Sequence, residues 1–557
     1  MRTLLTTLHS KYIHPSLALP YLVAYCGEDC GDLLIEELTI HQPKENLLAQ
    51  IVACKADVVC FSMYLWNRQL SLELITALKI AVPQVRIVVG GPDVSFEGAE
   101  FFERCPVDAL ICGEGEIPLK HLLSSWKDGV EPASCPGLQR PGMDSAAAGQ
   151  SLLADLDLLP SPFAAGLVDL SRGYVYYESS RGCPYSCSFC MSALDNQVRS
   201  FSMARIFRDL DLLMQAKVDQ IKFVDRTFNY HAERCREIIA YILQHNISSR
   251  FHFEVGADLL DEATLQLLET VPPGTFQFEI GVQTTSSATL ERIGRKSSLE
   301  KLELNVKRLI AAGNISIHLD LIAGLPGEGV EDFFNSLQKV LALKAQHLQV
   351  ELVKLLPGSP LRQQAGNLKI HFDSAPPYSV LRTPQLSFDG LEEIRRVGRL
   401  LDLVGNSGRF KHLLHASESS YLNIVEFYRH LQGWWQKAGL FEEPLGLRQI
   451  FDALHRFVEQ SPEALLLSEA LGRDFALVGR VVPGKAPAFF NCELSSEEEQ
   501  RVKQRVKSEL ESLEDGWKLQ HFAAIFETIT PVASRSLLLY LYRSRSKTSP
   551  SVEEIIL

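Results

Sequence analysis

Three cysteines stand close together in the segment "SSRGCPYSCSFCMSA", residues 179–193. Cys183, Cys187 and Cys190 have the spacing C-x-x-x-C-x-x-C, so a single loop can turn all three thiolates toward one centre. Soft sulfur ligands of this kind suit an iron–sulfur cluster. A structural zinc site usually has a fourth Cys or His, and neither occurs within ten residues of the three. The pattern therefore favours a [4Fe–4S] cluster with one open iron over a zinc knuckle.

The composition indicates in which cellular compartment this cluster would lie and which classes of partner it excludes. Twelve cysteines in 557 residues are too dilute for a disulfide scaffold, and we interpret the other nine as ordinary thiols. No apolar run has the length of a membrane helix, and His9, Lys11 and Pro15 interrupt the N-terminal apolar stretch, unlike a signal peptide. The net charge of -13 argues against nonspecific nucleic-acid binding. We expect a cytoplasmic protein without membrane insertion and without a nucleic-acid partner.

The elements that precede the cysteines follow an alternating pattern. Predicted strands are "RTLLTTL", "LLIEELTI", "DVVCFSMYL", "RIVVGG" and "DALICG", with helical patterns such as "LALPYLVAYC" and "LSLELITALKIA" between them. This alternation is typical of a parallel sheet with helices on both faces. The sequence predicts an α/β, doubly wound, Rossmann-like domain over residues 1–130, followed by a Pro/Gly/Ala/Ser-rich linker over 131–172.

A second series of strands and helices contains the cysteines near its start. The predicted strands are "YVYYESS", "QIKFVD", "RFHFEVG", "TFQFEIGVQ", "SIHLDLIAGLP" and "HLQVELVKLLP". Six strands with intervening helices predict an open, partial (β/α)6 barrel over residues 173–370. Residues 371–557 have mostly helical patterns and end in a small α+β tail.

The cysteine segment "CPYSCSFC" resembles the signature of the radical S-adenosylmethionine (SAM) superfamily, including Phe189 before the last cysteine. The resemblance implies that Cys183, Cys187 and Cys190 bind three irons. It also implies that the amino and carboxylate groups of SAM chelate the fourth iron, and that reduction of the cluster cleaves SAM to methionine and a 5′-deoxyadenosyl radical.

Residues at later strand ends are candidates for SAM or substrate contacts. By resemblance, "FVDRTFN" provides Asp225 and Asn229 near the SAM amino group, and "FEIGVQ" provides Glu279, Gly281 and Gln283. A buried carboxylate is costly unless it is paired, so structural ion pairs or turns remain the alternative at each position. The full set of SAM-binding candidates is Phe189, Asp225, Glu254, Gln283 and Asp320.

Three loops of the first domain indicate a second cofactor. "SMYLWN", "GGPDVSF" and "CGEGEIP" each follow a predicted strand, so they fall at the carboxyl edge where such sheets bind ligands. In this order they resemble the domain of the cobalamin-dependent radical SAM enzymes, a match that covers about residues 1–370. The implied cobalamin-binding residues are Ser62, Tyr64, Trp66, Asn67, Gly90, Gly91, Pro92, Gly113, Glu114, Gly115 and Glu116.

Several readings of this domain stay open. The sequence has no Asp-x-His-x-x-Gly motif, so we do not expect a histidine of this domain to ligate cobalt. His9 and His14 lie near the first strand end, where a surface role is favoured over contact with the corrin. Tyr64 and Trp66 either stack on the cofactor or fill the core, and "GEGE" is also compatible with an ordinary helix start.

The C-terminal region resembles an uncharacterised helical extension attached to one subgroup of these enzymes. Trp434 and Trp435, and the basic segment with Arg409, Lys411, His412 and His415, could line a substrate tunnel. Packed helix aromatics and a solvated basic face are the simpler interpretation.

The resemblance as a whole implies a radical SAM enzyme with a [4Fe–4S] cluster, SAM and cobalamin. The leading hypothesis is a methyltransferase that acts on an unactivated carbon or on phosphorus, through a 5′-deoxyadenosyl radical and methylcobalamin. The alternatives are a non-methylating rearrangement or cyclisation, and a noncatalytic corrinoid or cluster sensor. Expected partners are a small-molecule substrate or natural-product intermediate and an electron donor such as flavodoxin or ferredoxin.

Overall fold

The fold is that of a computed structural model, which describes residues 1–11, 14–142, 149–195, 197–482, 484–529, 535–545 and 551–557. Residues 143–148 of the predicted linker lie outside the described residues. The chain forms two compact units: one comprises Met1–Ala345 and Val350–Leu391, and the other comprises Gln346–Gln349 and Glu392–Leu557. The domain boundaries that we infer from the sequence stay predictions.

The first part of the larger unit is built from alternating strands and helices. They are β1 (Arg2–His9), α1 (Ala18–Cys26), β2 (Asp32–Thr39), α2 (Lys44–Ala53), β3 (Val58–Ser62), α3 (Arg68–Ala81), β4 (Arg86–Gly90), α4 (Glu100–Arg104), β5 (Ala109–Ile111), α5 (Glu116–Lys127) and β6 (Leu138–Gln139). All five predicted strands are present, and the sequence patterns did not indicate β6.

These strands form one sheet in the order β2-β1-β3-β4-β5-β6, parallel except for the β5–β6 pair. The order reverses between β1 and β3, and ligands bind at such switch points outside the carboxyl ends of the strands. The central strand β3 is apolar on both faces because helices cover both faces of the sheet. Val59 and Phe61 of β3 pack into one buried cluster, whereas Val58 and Cys60 pack into another. The predicted doubly wound domain is confirmed.

The second part of the larger unit contains the cysteine segment and the barrel. Its elements are β7 (Tyr174–Tyr177), β8 (Ser180–Arg181), β9 (Arg199–Ser200), α6 (Met203–Gln215), β10 (Gln220–Phe223), α7 (Ala232–His245), β11 (Arg250–Glu254), α8 (Glu262–Glu269), β12 (Phe276–Gln283), α9 (Ser287–Arg292), α10 (Leu299–Ala312), β13 (Ser316–Ala323) and α11 (Val330–Leu341). The next strand, β14 (His347–Leu352), belongs to this unit only from Val350 onward.

The six long strands lie in the order β14-β13-β12-β11-β10-β7, which confirms the six-stranded partial barrel. Alternation along β12 buries Phe276, Phe278 and Ile280 on one face, whereas Glu279 and Gln283 lie on the other and are partly exposed. The same period buries alternate residues of β13. Since the register pairs Glu254 with Glu279, and Gly281 with Asp320, the polar residues of neighbouring strands lie side by side.

The remaining elements follow the barrel. They are α12 (Pro360–Gln364), β15 (His371–Phe372), β16 (Val380–Arg382), α13 (Phe388–Leu400), which continues as a π-helix over Leu401–Gly405, α14 (Lys411–Ser420), α15 (Ile424–Lys437), α16 (Leu447–Val458), α17 (Ala464–Val478), α18 (Ser496–Glu511), β17 (Trp517–Phe526), β18 (Ser536–Arg545) and β19 (Ser551–Ile556). The last three strands form an antiparallel sheet, as expected for an α+β tail after a mostly helical region. Within the described residues, no helix is long and apolar enough to cross a membrane.

Candidate functional site

The cysteine loop is held by backbone contacts to distant segments. The amide of Cys183 donates to the carbonyl of Asp195 at 3.2 Å, and the amide of Ser188 donates to the carbonyl of Ile293 at 2.8 Å. Gly182 has a φ of 94°, and a Cβ there would stand 2.3 Å from the carbonyl oxygen of Gln197. A residue without a side chain is therefore required directly before the first cysteine.

The three cysteines line a cavity of about 160 Å³, which we call the smaller cavity. Four of the five predicted SAM-binding residues line it as well. Those four are Phe189, Glu254, Gln283 and Asp320. The cavity is also lined by Glu279 and Gly281, which the strand-end pattern had indicated. The structure thus brings the ends of β11, β12 and β13 to the cysteine loop.

Asp225 is the one predicted SAM-binding residue that lies outside the lining of the smaller cavity. Its side chain is fully buried, and it accepts hydrogen bonds from the amide of Ser179 at 2.9 Å and from the hydroxyls of Ser179 and Ser180. Burial raises the pKa of this carboxyl, opposed by the charge of Arg234. Asn229 joins strand ends by exchanging 2.8 Å hydrogen bonds with the backbone of Gly256. Both residues have structural partners, and their predicted contacts with SAM stay predictions.

Arg295 lines the smaller cavity and was missed by the sequence analysis. Its guanidinium donates to the carbonyl of Gly281 at 2.7 Å and to the Sγ of Cys187 at 3.7 Å, and it lies 4.7 Å from the centre of the Tyr185 ring. Burial raises the pKa of the Cys187 thiol, and the positive charge of Arg295 opposes that increase. Only the fold brings this arginine to the cysteines, so no local pattern could have indicated it.

Three carboxyl groups in the smaller cavity differ in charge. The Nε2 of His252 lies 3.0 Å from Glu279 Oε2, and this contact, with help from Lys222, lowers the pKa of Glu279 to about 2. Burial, reinforced by the charge of Glu279, raises the pKa of Glu254 to about 7 and that of Asp320 to about 8. At neutral pH Glu279 is therefore ionised, Asp320 is mostly protonated and Glu254 is about half protonated.

A second cavity, the larger cavity, has a volume of about 760 Å³ and lies at the carboxyl edge of the first sheet. Ten of the eleven predicted cobalamin-binding residues line it: Ser62, Tyr64, Trp66, Gly90, Gly91, Pro92, Gly113, Glu114, Gly115 and Glu116. The exception is Asn67, which is fully buried and fixes the loop by accepting from the amide of Tyr64 at 2.8 Å. The three loops thus converge on one cavity, as predicted.

Aromatic and histidine side chains complete the larger cavity. The rings of Tyr64 and Trp66 stack with centroids 4.5 Å apart, and both residues face the cavity. His9 and His14 also line it, so the surface role that we favoured for them is wrong. His14 is fixed by the hydroxyl of Tyr176, 2.7 Å from its Nδ1, a contact that joins the first domain to the barrel.

The carboxylates of Glu114 and Glu116 have partners outside the first domain. Arg181 lies 3.4 Å from Glu114, 2.8 Å from Glu116 and 2.8 Å from Glu178. Arg199 lies 2.8 Å from Glu114. These ion pairs connect the third predicted cobalamin loop to the strands that flank the cysteine loop.

The residues fit the groups that the resemblance implies. Three thiols of one loop provide the donor set of a cluster with one open iron, because each cysteine can ligate a separate iron. The buried Oδ1 of Asp320 and Oε1 of Gln283 have no hydrogen-bond partner in the described part of the chain and are available to a polar ligand in the smaller cavity. Gly90, Gly91 and Gly113 leave backbone accessible to a large molecule in the larger cavity. No group of His, Cys, Asp and Glu among the described residues could hold a single metal ion.

The C-terminal candidates have structural surroundings within their own unit. Trp435 is fully buried and packs against Trp434. The Nδ1 of His412 lies 2.8 Å from Asp474, whereas the side chain of His415 is 79% exposed. The simpler interpretation, packed aromatics and a solvated basic face, accounts for these side chains, and Arg409 and Lys411 are exposed.

Three family models match the chain. "B12 binding domain" matches residues 4–123, "Radical SAM superfamily" matches 177–340, and "Protein of unknown function (DUF4080)" matches 367–525. Their order is that of the two cofactor regions and the C-terminal extension inferred from the sequence.

Two relatives are named as methyltransferases, and the name of one of them includes both cobalamin and radical SAM. The cobalamin-dependent radical SAM methyltransferase TokK of Streptomyces tokunonensis is 29% identical over 472 residues, which cover 77% of this chain and 65% of TokK. The 2-(S-pantetheinyl)-carbapenam-3-carboxylate methyltransferase of Streptantibioticus cattleyicolor is 27% identical over 55% of this chain and 48% of that protein. The chain thus spans about half to two thirds of the length of these two relatives.

A solved structure shows the same fold. The cobalamin-dependent S-adenosylmethionine radical enzyme OxsB, with aqua-cobalamin and S-adenosylmethionine bound, superposes with a TM-score of 0.59 at 15% identity, covering 92% of this chain and 81% of that chain. The thiol loop and the glycine-rich sheet edge coincide with the two domain matches: the chain contains a B12-binding domain and a radical SAM domain, and it is similar to cobalamin-dependent radical SAM enzymes.

Proposed function

We propose that this protein transfers a methyl group from SAM, by way of cobalamin, to an unactivated carbon or to phosphorus of a small molecule. The observation that carries the proposal is the meeting of the two cavities on shared strands. Tyr176 of β7 and Val224, which follows β10, line the larger cavity, and Arg226, two residues further, lines the smaller one. One set of barrel strands therefore supports both candidate cofactor sites.

The cofactors supply the reactive groups, and the protein supplies their geometry. When bound, the cluster with SAM supplies a 5′-deoxyadenosyl radical and cobalamin supplies a transferable methyl group. The protein holds three irons through Cys183, Cys187 and Cys190, and it orients polar groups of SAM through Gln283 and Asp320. Reactive groups held at neighbouring sites do not depend on rare encounters in solution. The ion pairs of Arg181 keep the cobalamin loop and the cysteine loop together.

The names of the relatives support methyl transfer. TokK and the carbapenam enzyme are named methyltransferases, and a further relative, the hopanoid C-3 methylase of Methylococcus capsulatus, is 26% identical over 41% of this chain. The reaction also requires an electron from outside the chain, and we propose a small donor protein such as a flavodoxin or a ferredoxin for this role.

Labelled SAM tests the proposal. The protein, reconstituted without oxygen with iron, sulfide and hydroxocobalamin, is reduced and incubated with [methyl-14C]SAM, and we expect 5′-deoxyadenosine together with label in the corrinoid fraction. Label found only in methionine, with 5′-deoxyadenosine formed, would assign a rearrangement or cyclisation instead. The absence of 5′-deoxyadenosine under a strong reductant would contradict enzymatic activity and favour a sensor.

A further inference from the structure

Two arginines line the smaller cavity, and they differ in their contacts. The guanidinium of Arg295 donates to Gly281 and Cys187 and packs on the Tyr185 ring. The guanidinium of Arg226 has no hydrogen bond or ion pair with any residue that the structure describes, and the residue is exposed and lines the cavity. A guanidinium has five donors in a planar fork, so Arg226 has unused capacity to bind a ligand.

The charge of Arg226 acts on both cavities. It opposes the increase in the pKa of Glu254, which lines the smaller cavity, and the increase in the pKa of Tyr64, which lines the larger cavity. Val224, two residues before Arg226, lines the larger cavity as well. Arg226 therefore lies where a molecule that reaches both cofactor sites would pass.

The neighbouring carboxyl groups leave the charge of Arg226 largely uncompensated. Glu279, the one strongly ionised carboxylate, is bound by His252 at 3.0 Å and by Lys222 at 3.5 Å. Glu254 and Asp320 have pKa values near or above 7 because of burial. The cavity thus offers a cation without a matching anion, and a ligand with a negative group would supply it.

We propose that Arg226 binds an anionic group of the substrate, a carboxylate or a phosphate, and so selects acidic substrates. This inference rests on the proposed function, because the substrate must lie between the two cofactors. The planar fork of arginine matches both oxyanions through two parallel hydrogen bonds. The carboxylate of SAM has the same chemistry, and the experiment must separate the two sources.

Binding of inorganic phosphate to the full-length protein with its cluster reconstituted tests the site. Equilibrium dialysis with 32P-phosphate compares the wild type with Arg226→Gln, Arg226→Lys and the control Arg208→Gln, which changes an exposed arginine of α6. We expect at least a tenfold loss of phosphate affinity in Arg226→Gln, a smaller loss in Arg226→Lys, which keeps the charge but not the fork, and no change in the control. The dissociation constant of SAM, measured on the same samples, is expected to stay within twofold.

Each outcome has a definite meaning. Equal phosphate binding by the wild type and Arg226→Gln would overturn the proposal, and a parallel tenfold loss of SAM affinity would assign Arg226 to the carboxylate of SAM and overturn its role in substrate selection. If the wild type forms no 5′-deoxyadenosine but the loss of phosphate affinity persists, the proposed function fails and the anion site is still supported.

Discussion

At the scale of single residues, Cys187 is a cluster-ligand candidate with a side-chain partner. It is buried, and its sulfur accepts a hydrogen bond from Arg295. Replacing it by alanine removes one of three cluster ligands. We expect Cys187→Ala, after anaerobic reconstitution, to lose the broad visible absorption of the cluster and most of its iron, and to retain corrinoid binding.

The matched control for this prediction is Cys492→Ala, since Cys492 is an exposed cysteine far along the chain. It should retain the iron content of the wild type. A full cluster in Cys187→Ala would show that the ligand assignment is wrong.

The raised pKa of Asp320 makes the free energy of unfolding depend on pH. Its pKa is about 8 in the folded protein and near 3.8 when unfolded, so between these values the folded state holds a proton that the unfolded state has lost. Stability therefore falls as the pH rises through this window, by up to about 1.4 kcal/mol per pH unit. We expect Asp320→Asn to remove this contribution, so that the cofactor-free protein loses less thermal stability between pH 6 and pH 8 than the wild type.

Unfolding temperatures at pH 6 and pH 8 measure this effect. Asp128→Asn, which changes an exposed aspartate, should have the pH dependence of the wild type. Parallel pH profiles for Asp320→Asn and the wild type would contradict the raised pKa.

The sequence predicts which residues lie at the strand ends, but it does not predict which side chains they contact. The motif around Cys183 and the strand-end positions of Glu254 and Gln283 are local features of the sequence. The contact of Arg295 with Cys187 joins residues 108 positions apart, and the hydrogen bond from the Ser179 amide to Asp225 joins residues 46 positions apart. Such contacts depend on packing, which no short segment determines.

At the scale of elements, the turn after β4 positions the second predicted cobalamin loop. Gly91 has a φ of 106°, and a Cβ there would lie 2.5 Å from the carbonyl oxygen of Met63. Alanine would need both a strained backbone and a displaced loop. We expect Gly91→Ala to bind hydroxocobalamin at least tenfold more weakly, as measured by absorbance titration.

Gly129→Ala provides the control, because Gly129 has a φ of 71° but no heavy atom within 4 Å of the added Cβ. It should cost about 1 kcal/mol of stability and leave corrinoid affinity unchanged. Equal corrinoid affinities for both variants would argue against a role of this turn in cofactor binding.

The main strands and helices were predictable because their periodicity is local. A period of two along β12 and continuous apolar runs in β3 reflect which faces are covered. The two-residue strand β6 and the π-helical end of α13 had no such signal. The strand β6 forms because β5 offers it hydrogen-bond partners.

At the scale of the whole molecule, Arg181 connects the third predicted cobalamin loop to the barrel. Its guanidinium contacts Glu114, Glu116 and Glu178, and the side chains of all four residues are at most 16% exposed. Removing one charge from a buried network leaves the others uncompensated, which costs roughly 3 to 5 kcal/mol. We expect Arg181→Met to lose stability of this order in urea unfolding of the cofactor-free protein.

The double variant Arg181→Met with Glu178→Gln tests the cause. Neutralising Glu178 removes one uncompensated carboxylate, so part of the lost stability should return. A loss below about 1 kcal/mol in the single variant would mean that the network contributes little.

The sequence by itself determined the two strand series and the presence of two cofactor regions, and it predicts the cluster ligands, because these depend on motifs and periodicities within a few residues. Only the tertiary structure decided which side chains meet between those regions. The contacts of Arg181 with Glu114 and Glu116 and of His14 with Tyr176 result from long-range packing. The same packing leaves the Arg226 guanidinium without a partner in the part of the chain that the structure describes. Local chemistry is encoded in neighbouring residues, whereas charge balance in a cavity depends on every element that lines it.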